Sequence, residues 1–277
     1  MRETVSVKTI EEWEKLDPQT QYTILNNVKL RLRLETWMRE QVMRPPLMEP
    51  IQSQCYRCEG TGSITHYPRL PGIHPSQIGH SCMLRIYNQM VGKQGTPKFE
   101  FRGQLIFNLG SQIHLMFQGY GRRGAWGPNY KDEVRISEDL QEIAYQLFLE
   151  GSADAENILT LDDIPGHPIY EVGVIHEYKS INEKGFKDLA GPKPEHKLQA
   201  LIYSKALNRP IVCYLYMNKN NCELADYPVG FNQGDWKSLE EKIVRLNSFY
   251  NSGEPPPGNS GYHCKDCEFR NECPDAR

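Results

Sequence analysis

Three cysteines near the end of the chain, Cys264, Cys267 and Cys273 in a C-x2-C-x5-C pattern, constrain the fold more than any other feature. Three soft thiolates at that spacing demand a fourth ligand, as in a tetrahedral zinc site or a four-iron cluster. Cys82 is the candidate fourth, because it stands early on a predicted helix and a helix N-terminus favours the thiolate. Such a site would clip the chain's end to a point about 180 residues earlier and stabilise the fold by restricting the unfolded chain. Disulfides explain the eight cysteines less well. A chain of 277 residues buries a core without staples, and its opening, MRETVSVKTIEEWEKL, lacks the short apolar stretch of a secretory signal.

Charge narrows the function classes. With 32 Lys and Arg against 35 Asp and Glu the net charge is -3, which excludes a protein held to nucleic acid by its overall field and leaves local basic patches open. No apolar run reaches the length of about 18 residues that a spanning helix needs, so the expectation is a soluble cytoplasmic protein without membrane contact.

Along the chain, residues 1–49 read as an N-terminal helical extension. Ile10, Trp13, Leu16, Ile24, Val28, Leu32 and Trp37 recur at roughly helical spacing, Pro18 splits the run and Pro45-Pro46 stop it. Residues 50–75, rich in Gly, Pro, Ser and Thr, form a loop or small knuckle. Its Cys55-x2-Cys58 pair, with His66, His74 and His80 near, is a candidate second zinc site. Helices are expected at 76–92 and 104–120, a loop at 121–130 and a helical or mixed stretch from Ser137. Two apparent strands follow, QLFLEGSADA and PIYEVGVIHEYKS, joined through LTLDDIPGH as a hairpin. After a Lys-rich loop come a helix at 195–208, the buried strand RPIVCYLYMN, an amphipathic helix at 234–250 and the cysteine tail at 258–277. Residues 76–277 therefore read as one mixed α/β domain.

Glu177-Tyr178-Lys179 ends the second apparent strand, and alternation puts Glu177 and Lys179 on one face. A carboxylate to hold a hard divalent cation beside a lysine to orient water and offset charge is the equipment of metal-assisted phosphodiester hydrolysis. Glu-x-Lys recurs at Glu195/Lys197 and Glu240/Lys242, but on predicted helices, where these are surface charges. Asp154, in Gly151-Ser152-Ala153-Asp154, can approach Glu177 across the hairpin as the second carboxylate; Asp162 is the rival, in a turn-like setting with Asp163. His114 is either a third ligand or a core histidine. Gln199 and Tyr203, at i,i+4, share a helical face.

Taken in order, His80-Ser81-Cys82 to Tyr87, the Gly110–His114 helix, Gly151–Asp154, Glu177-Tyr178-Lys179, Gln199-Ala-Leu-Ile-Tyr203 and the C-x2-C-x5-C tail resemble the RecB-like branch of the PD-(D/E)xK nucleases. They look most like its iron-sulfur members, such as the CRISPR-adaptation nuclease, AddB and the replicative helicase-nucleases. The resemblance spans residues 74–277. It implies a mixed central sheet flanked by helices and a metal-dependent DNA nuclease, frequently an exonuclease. His114, Asp154 and Glu177 would then bind Mg²⁺ or Mn²⁺, Lys179 would assist the nucleophilic water, Gln199 and Tyr203 would position DNA, and Cys82, Cys264, Cys267 and Cys273 would hold a [4Fe-4S] cluster, with zinc as the alternative. Ala153 stands where the family's name-giving proline would be, and the Asp154–Glu177 gap of 23 residues exceeds the usual hairpin, which keeps Asp162 open.

DNA is the implied partner. No G-x-x-x-x-G-K-[ST] motif is present, so unwinding would come from a separate helicase or recombination protein. The loop KSINEKGFKDLAGPKPEHKLQ resembles phage-encoded members, and its Lys184, Lys187, Lys193 and Lys197 either grip phosphates or face solvent. The rival to catalysis is an adaptor module of a nuclease-helicase complex that keeps the fold and cluster and binds DNA without cutting it.

Overall fold

A computed structural model describes residues 2–42, 72–96, 101–136, 147, 149 and 151–275. The knuckle with Cys55, Cys58 and His66, and nearly all of the stretch expected from Ser137, lie outside the described residues.

The chain opens with a strand, β1 (Thr4–Val7), followed by α1 (Ile10–Glu14), α2 (Pro18–Asn27) and α3 (Leu30–Val42). Thr9 and Glu12 close a capping box on α1, and Asp17 caps α2 with Pro18 in its first turn, so the break at Pro18 is a new helix start rather than a kink. A second break falls at Val28, which leaves helical geometry and is fully buried. Next come α4 (Pro75–Ile78), α5 (Met83–Met90) and the long α6 (Phe101–Arg122). The helix expected over 76–92 is thus two, and Cys82 stands at the N-cap of the second.

Six strands form one mixed sheet. After β1 come β2 (Lys131–Arg135), β3 (Ser152–Leu161), β4 (Ile169–Ile181), β5 (Ile211–Asn218) and β6 (Leu224–Gly230), with order β2-β3-β4-β5-β6 and β1 beside β4. Helices α7 (Glu183–Lys187) and α8 (Pro194–Ala206) link β4 to its parallel neighbour β5, and α9 (Gln233–Ser252) follows β6. The expected hairpin is β3 and β4, although β3 runs on to Leu161 so that only residues 162–168 turn. Neither β2 nor β6 carries the apolar run that reveals a buried strand; β6 holds Pro228, which suits a sheet edge.

β4 is the central strand. Residues 169–172 pair with β1 and residues 174–181 with β5, so two parallel partners share one of its edges in succession. Gly173 lies at the junction, where a Cβ would stand 2.6 Å from the Lys8 carbonyl oxygen and 2.9 Å from Arg209 Cδ; only glycine lets both chains approach. Both faces of the sheet are covered. Ile175, Ile202, Tyr214, Trp236 and Ile243 pack on one, and Ile24, Leu34, Phe117, Trp126, Val172 and Leu215 on the other, which is why β4 and β5 read as unbroken apolar runs.

Candidate active site

The β3–β4 ladder ends at the pair Ala155–His176. Beyond that pair, the backbone N–H of Tyr178 donates to Asp154 Oδ2 at 2.6 Å, so a carboxylate takes the bond that a strand carbonyl would have received. The strands part there, and the gap exposes the ends of both to helix α6. His114 Nδ1 lies 3.1 Å from Asp154 Oδ1. Desolvation pulls the His114 pKa down, but the Asp154 charge and hydrogen bond outweigh it and hold the imidazole above its ordinary value. Burial pushes the Asp154 carboxyl up, and His114, Lys179 and the Tyr178 N–H together bring it below the usual range.

Glu177 is 1% exposed. Its Oε1 is bonded by Lys179 Nζ, while Oε2 is buried without a hydrogen-bond partner. Burial and the nearby Asp154 charge raise the Glu177 pKa to about 7 despite the lysine. Lys179 loses stability as a cation through burial, yet Glu177 and Asp154 more than compensate and keep it an ammonium. It also donates to Gln199 Oε1 at 3.2 Å, and Gln199 in turn bonds Tyr203 one turn along α8. Burial, first, and Glu177, second, hold the Tyr203 phenol well above its ordinary pKa. All six residues singled out in the sequence, His114, Asp154, Glu177, Lys179, Gln199 and Tyr203, thus join one chain of contacts. Asp162 does not: it follows β3 at its opposite end, where Arg2 donates to its carbonyl at 2.9 Å.

Two further residues have no signal in the sequence. Gln118 Nε2, one turn beyond His114 on α6, donates to Glu133 Oε1 at 2.8 Å and to the Asp154 carbonyl at 3.4 Å. Glu133 sits on β2 opposite Asp154, with a left-handed φ of 50°. Behind the site a polar line runs inward. Asn157 Nδ2 donates to the Trp126 carbonyl at 2.7 Å, so its Oδ1 must accept from His176 Nε2 at 3.0 Å; His176 Nδ1 then accepts from the Tyr178 hydroxyl at 3.2 Å. Burial depresses the His176 pKa to about 3, consistent with this neutral tautomer.

Cys82, Cys264, Cys267 and Cys273 line one small cavity together with Arg85 and His263. None is in a disulfide. The tail is docked by Glu268, which accepts from Arg85 Nε at 2.9 Å and Gln89 Nε2 at 2.6 Å while its carbonyl accepts from Thr96 N at 2.9 Å. His80 Nδ1 accepts from the Cys82 N–H at 3.1 Å; His263 donates from Nε2 to the Asn259 carbonyl and therefore accepts at Nδ1 from Ser81. Among the described residues no three His, Cys, Asp or Glu side chains gather closely enough to form a ready-made single-ion site. Of the loop lysines, Lys187 is taken by Glu183 at 2.6 Å.

No protein-family model matches the chain, and no curated protein matches it. Among solved structures it is similar to SSO0001, at 18% identity over 93% of this chain and 97% of that one, with a TM-score of 0.47. It is also similar to LHK-Exo, an alkaline exonuclease from Laribacter hongkongensis, at 14% identity over 67% of this chain and 90% of that one, TM-score 0.43. The same enzyme in complex with dAMP gives 13% identity over the same shares and a TM-score of 0.45. No described helix is long and apolar enough to cross a membrane.

Proposed function

We propose that this protein is a divalent-metal-dependent DNA nuclease of the RecB-like kind, an exonuclease working from DNA ends. The observation that carries the reading is the buried Glu177 Oε2, which has no hydrogen-bond partner and shares the site with Asp154, a second carboxylate. Two desolvated carboxylates side by side are costly unless a cation joins them. His114, Asp154 and Glu177 supply one nitrogen and two hard oxygen donors, a set that suits Mg²⁺ or Mn²⁺. When bound, the cation would act as a Lewis acid on the phosphodiester. The chain's own part is positional. Lys179, held as an ammonium between Glu177 and Gln199, donates hydrogen bonds and offsets the negative charge that grows on the phosphate, and it does not act as a base. Gln199 and Tyr203 fix the lysine's direction from α8. From the other side Gln118 donates to the Asp154 carbonyl and is itself held by Glu133.

For the cysteines we propose a [4Fe-4S] cluster. Four cysteines line one cavity, and four sulfur ligands are the set that such a cluster takes. Bound there it would tie the tail to the start of α5. Zinc remains the rival, and an anaerobic purification decides: a brown protein absorbing near 400 nm supports the cluster, and a colourless zinc protein rejects it.

The catalytic assignment is tested by separating metal binding from cleavage. Glu177→Ala should lose both Mn²⁺ affinity and digestion. Lys179→Ala should keep Mn²⁺ affinity while cleavage falls by about 10²–10³-fold. Equal loss of metal affinity in the two variants would show that the roles are wrongly divided.

A further inference from the structure

His196 stands near the start of α8, about one turn before Gln199. Lys179 and Tyr216 are register partners on β4 and β5 and so point to one face of the sheet, the face that α8 covers. Two rungs join that face to the helix side by side. Lys179 donates to Gln199 Oε1 at 3.2 Å, and the Tyr216 hydroxyl lies 2.7 Å from His196 Nδ1. The pairing of the two strands therefore sets the His196 ring beside the proposed site's lysine.

The hydrogen-bond chain fixes where that ring carries its proton. The backbone N–H of Lys193 can only donate, and it donates to the Tyr216 hydroxyl at 3.1 Å. Among the described residues the hydroxyl's own hydrogen then has one acceptor, His196 Nδ1, so the neutral imidazole keeps its proton on Nε2. Tyr216 is fully buried, with the Tyr227 ring edge-on to it at 5.9 Å between centroids, and so makes a rigid anchor. Burial, then the charges of Lys179 and Lys193, depress the His196 pKa to about 3, and the ring stays neutral at ordinary pH. The outer nitrogen is thus a donor of fixed direction. His196 is half-buried, and among the described residues its Nε2 makes no hydrogen bond. An uncharged donor in the field of two ammonium groups suits an anion: the lysines balance its charge, and the imidazole N–H orients one of its oxygens.

We propose that His196 Nε2–H is a DNA contact, donating to a non-bridging oxygen of a phosphate beside the scissile one, with Tyr216 as the positioning residue that fixes the proton there. The contact rests on the nuclease reading above and adds to it a residue that holds the strand on the α8 side of Lys179. Its contribution is direction rather than charge, which separates it from the neighbouring lysines.

The experiment measures binding of a short fluorescein-labelled single-stranded DNA to the full-length protein across a salt series, without divalent cation so that nothing is cut. His196→Asn places an acceptor near the Nδ1 position for Tyr216 and nothing at Nε2, whereas His196→Gln reaches the Nε2 position and gives up the Nδ1 acceptor. The asparagine variant is expected to bind roughly tenfold more weakly, the loss of one hydrogen bond to a charged group, with an unchanged log–log salt slope because no cation is removed. The glutamine variant should recover to within about threefold of wild type. A ring that only holds Tyr216 gives the reverse order, with asparagine near wild type and glutamine weak. Suppose wild type binds DNA and digests it with Mg²⁺. If His196→Asn then keeps its affinity, if the two variants fall alike, or if the slope becomes shallower, the contact is wrong and the nuclease reading stands. If wild type neither binds nor digests DNA, both fall.

Discussion

The backbone N–H of Tyr178 donates to the Asp154 carboxylate at 2.6 Å where the β3–β4 ladder would otherwise continue. One side chain therefore ends a strand pairing, opens the sheet toward α6 and orients its own second oxygen at His114. Asp154 is structural support and candidate ligand at once, and the two roles separate by substitution.

Asp154→Asn keeps an acceptor for the Tyr178 N–H, whereas Asp154→Ala leaves that donor without one. The alanine variant should be destabilised by about 1–3 kcal/mol relative to the asparagine variant, read from urea midpoints. Both should lose metal-dependent digestion, because the asparagine amide carries no charge. An asparagine variant as active as wild type would remove Asp154 from the site.

Divalent cation should stabilise the fold through the same carboxylates. At a concentration a hundredfold above its dissociation constant, Mg²⁺ or Mn²⁺ should add about 2.7 kcal/mol to wild type. Glu177→Gln should show no comparable rise in melting temperature. A cation-induced rise of equal size in that variant places the ion elsewhere.

His176 gives the stability a pH dependence of predictable sign. Its pKa is about 3 in the fold against an ordinary 6.5, so below 6.5 the unfolded chain binds a proton that the fold refuses. The stability it contributes is complete above pH 6.5 and declines as pH falls through the window between the two values, by up to about 1.4 kcal/mol per unit. Glu177, raised to about 7, works in the opposite direction, so the comparison must be made against His176→Gln. The advantage of wild type over that variant in urea melts should shrink steadily from pH 6.5 to 4.5; a constant difference would show that His176 titrates normally.

Glu268 should govern how well the tail holds the proposed cluster. Its contacts to Arg85 and Gln89 join the cysteine tail to α5 without any metal. Glu268→Ala should reduce absorbance near 400 nm per protein and speed bleaching in air, while Glu268→Gln, which keeps an acceptor, should fall between it and wild type. Equal absorbance and bleaching in all three proteins would rule out this docking role.

Much of the site was legible because its residues carry local patterns. Glu177 and Lys179 alternate at the end of an apolar strand, Gln199 and Tyr203 repeat at helical spacing, and Asp154 closes a short apolar run; the structure brings all of them together and leaves Asp162 at the far end of the hairpin. The central strands β4 and β5 were equally visible, since burial on both faces writes itself as continuous apolar sequence. What stayed hidden depends on tertiary contact. Glu133 lies on β2, whose sequence KDEVR has no strand signature, and only pairing with β3 gives it a place. β1 is too short and polar to read, yet it completes an edge of β4. Lys242, read as a surface charge, instead donates to the carbonyls of Ile78 and His80 at 2.7 and 2.8 Å and so anchors the segment that leads into Cys82. No period in the sequence encodes such a long-range contact.

The central claim is that Glu177 and its neighbours form a metal-dependent DNA-cutting site. Its most direct test is digestion of end-labelled single- and double-stranded DNA by wild type and Glu177→Ala, with Mg²⁺, with Mn²⁺ and with chelator. The account predicts progressive shortening from the ends by wild type only when a cation is present, and none by the variant. Intact DNA under every condition, or equal shortening by the Glu177→Ala protein, would contradict it.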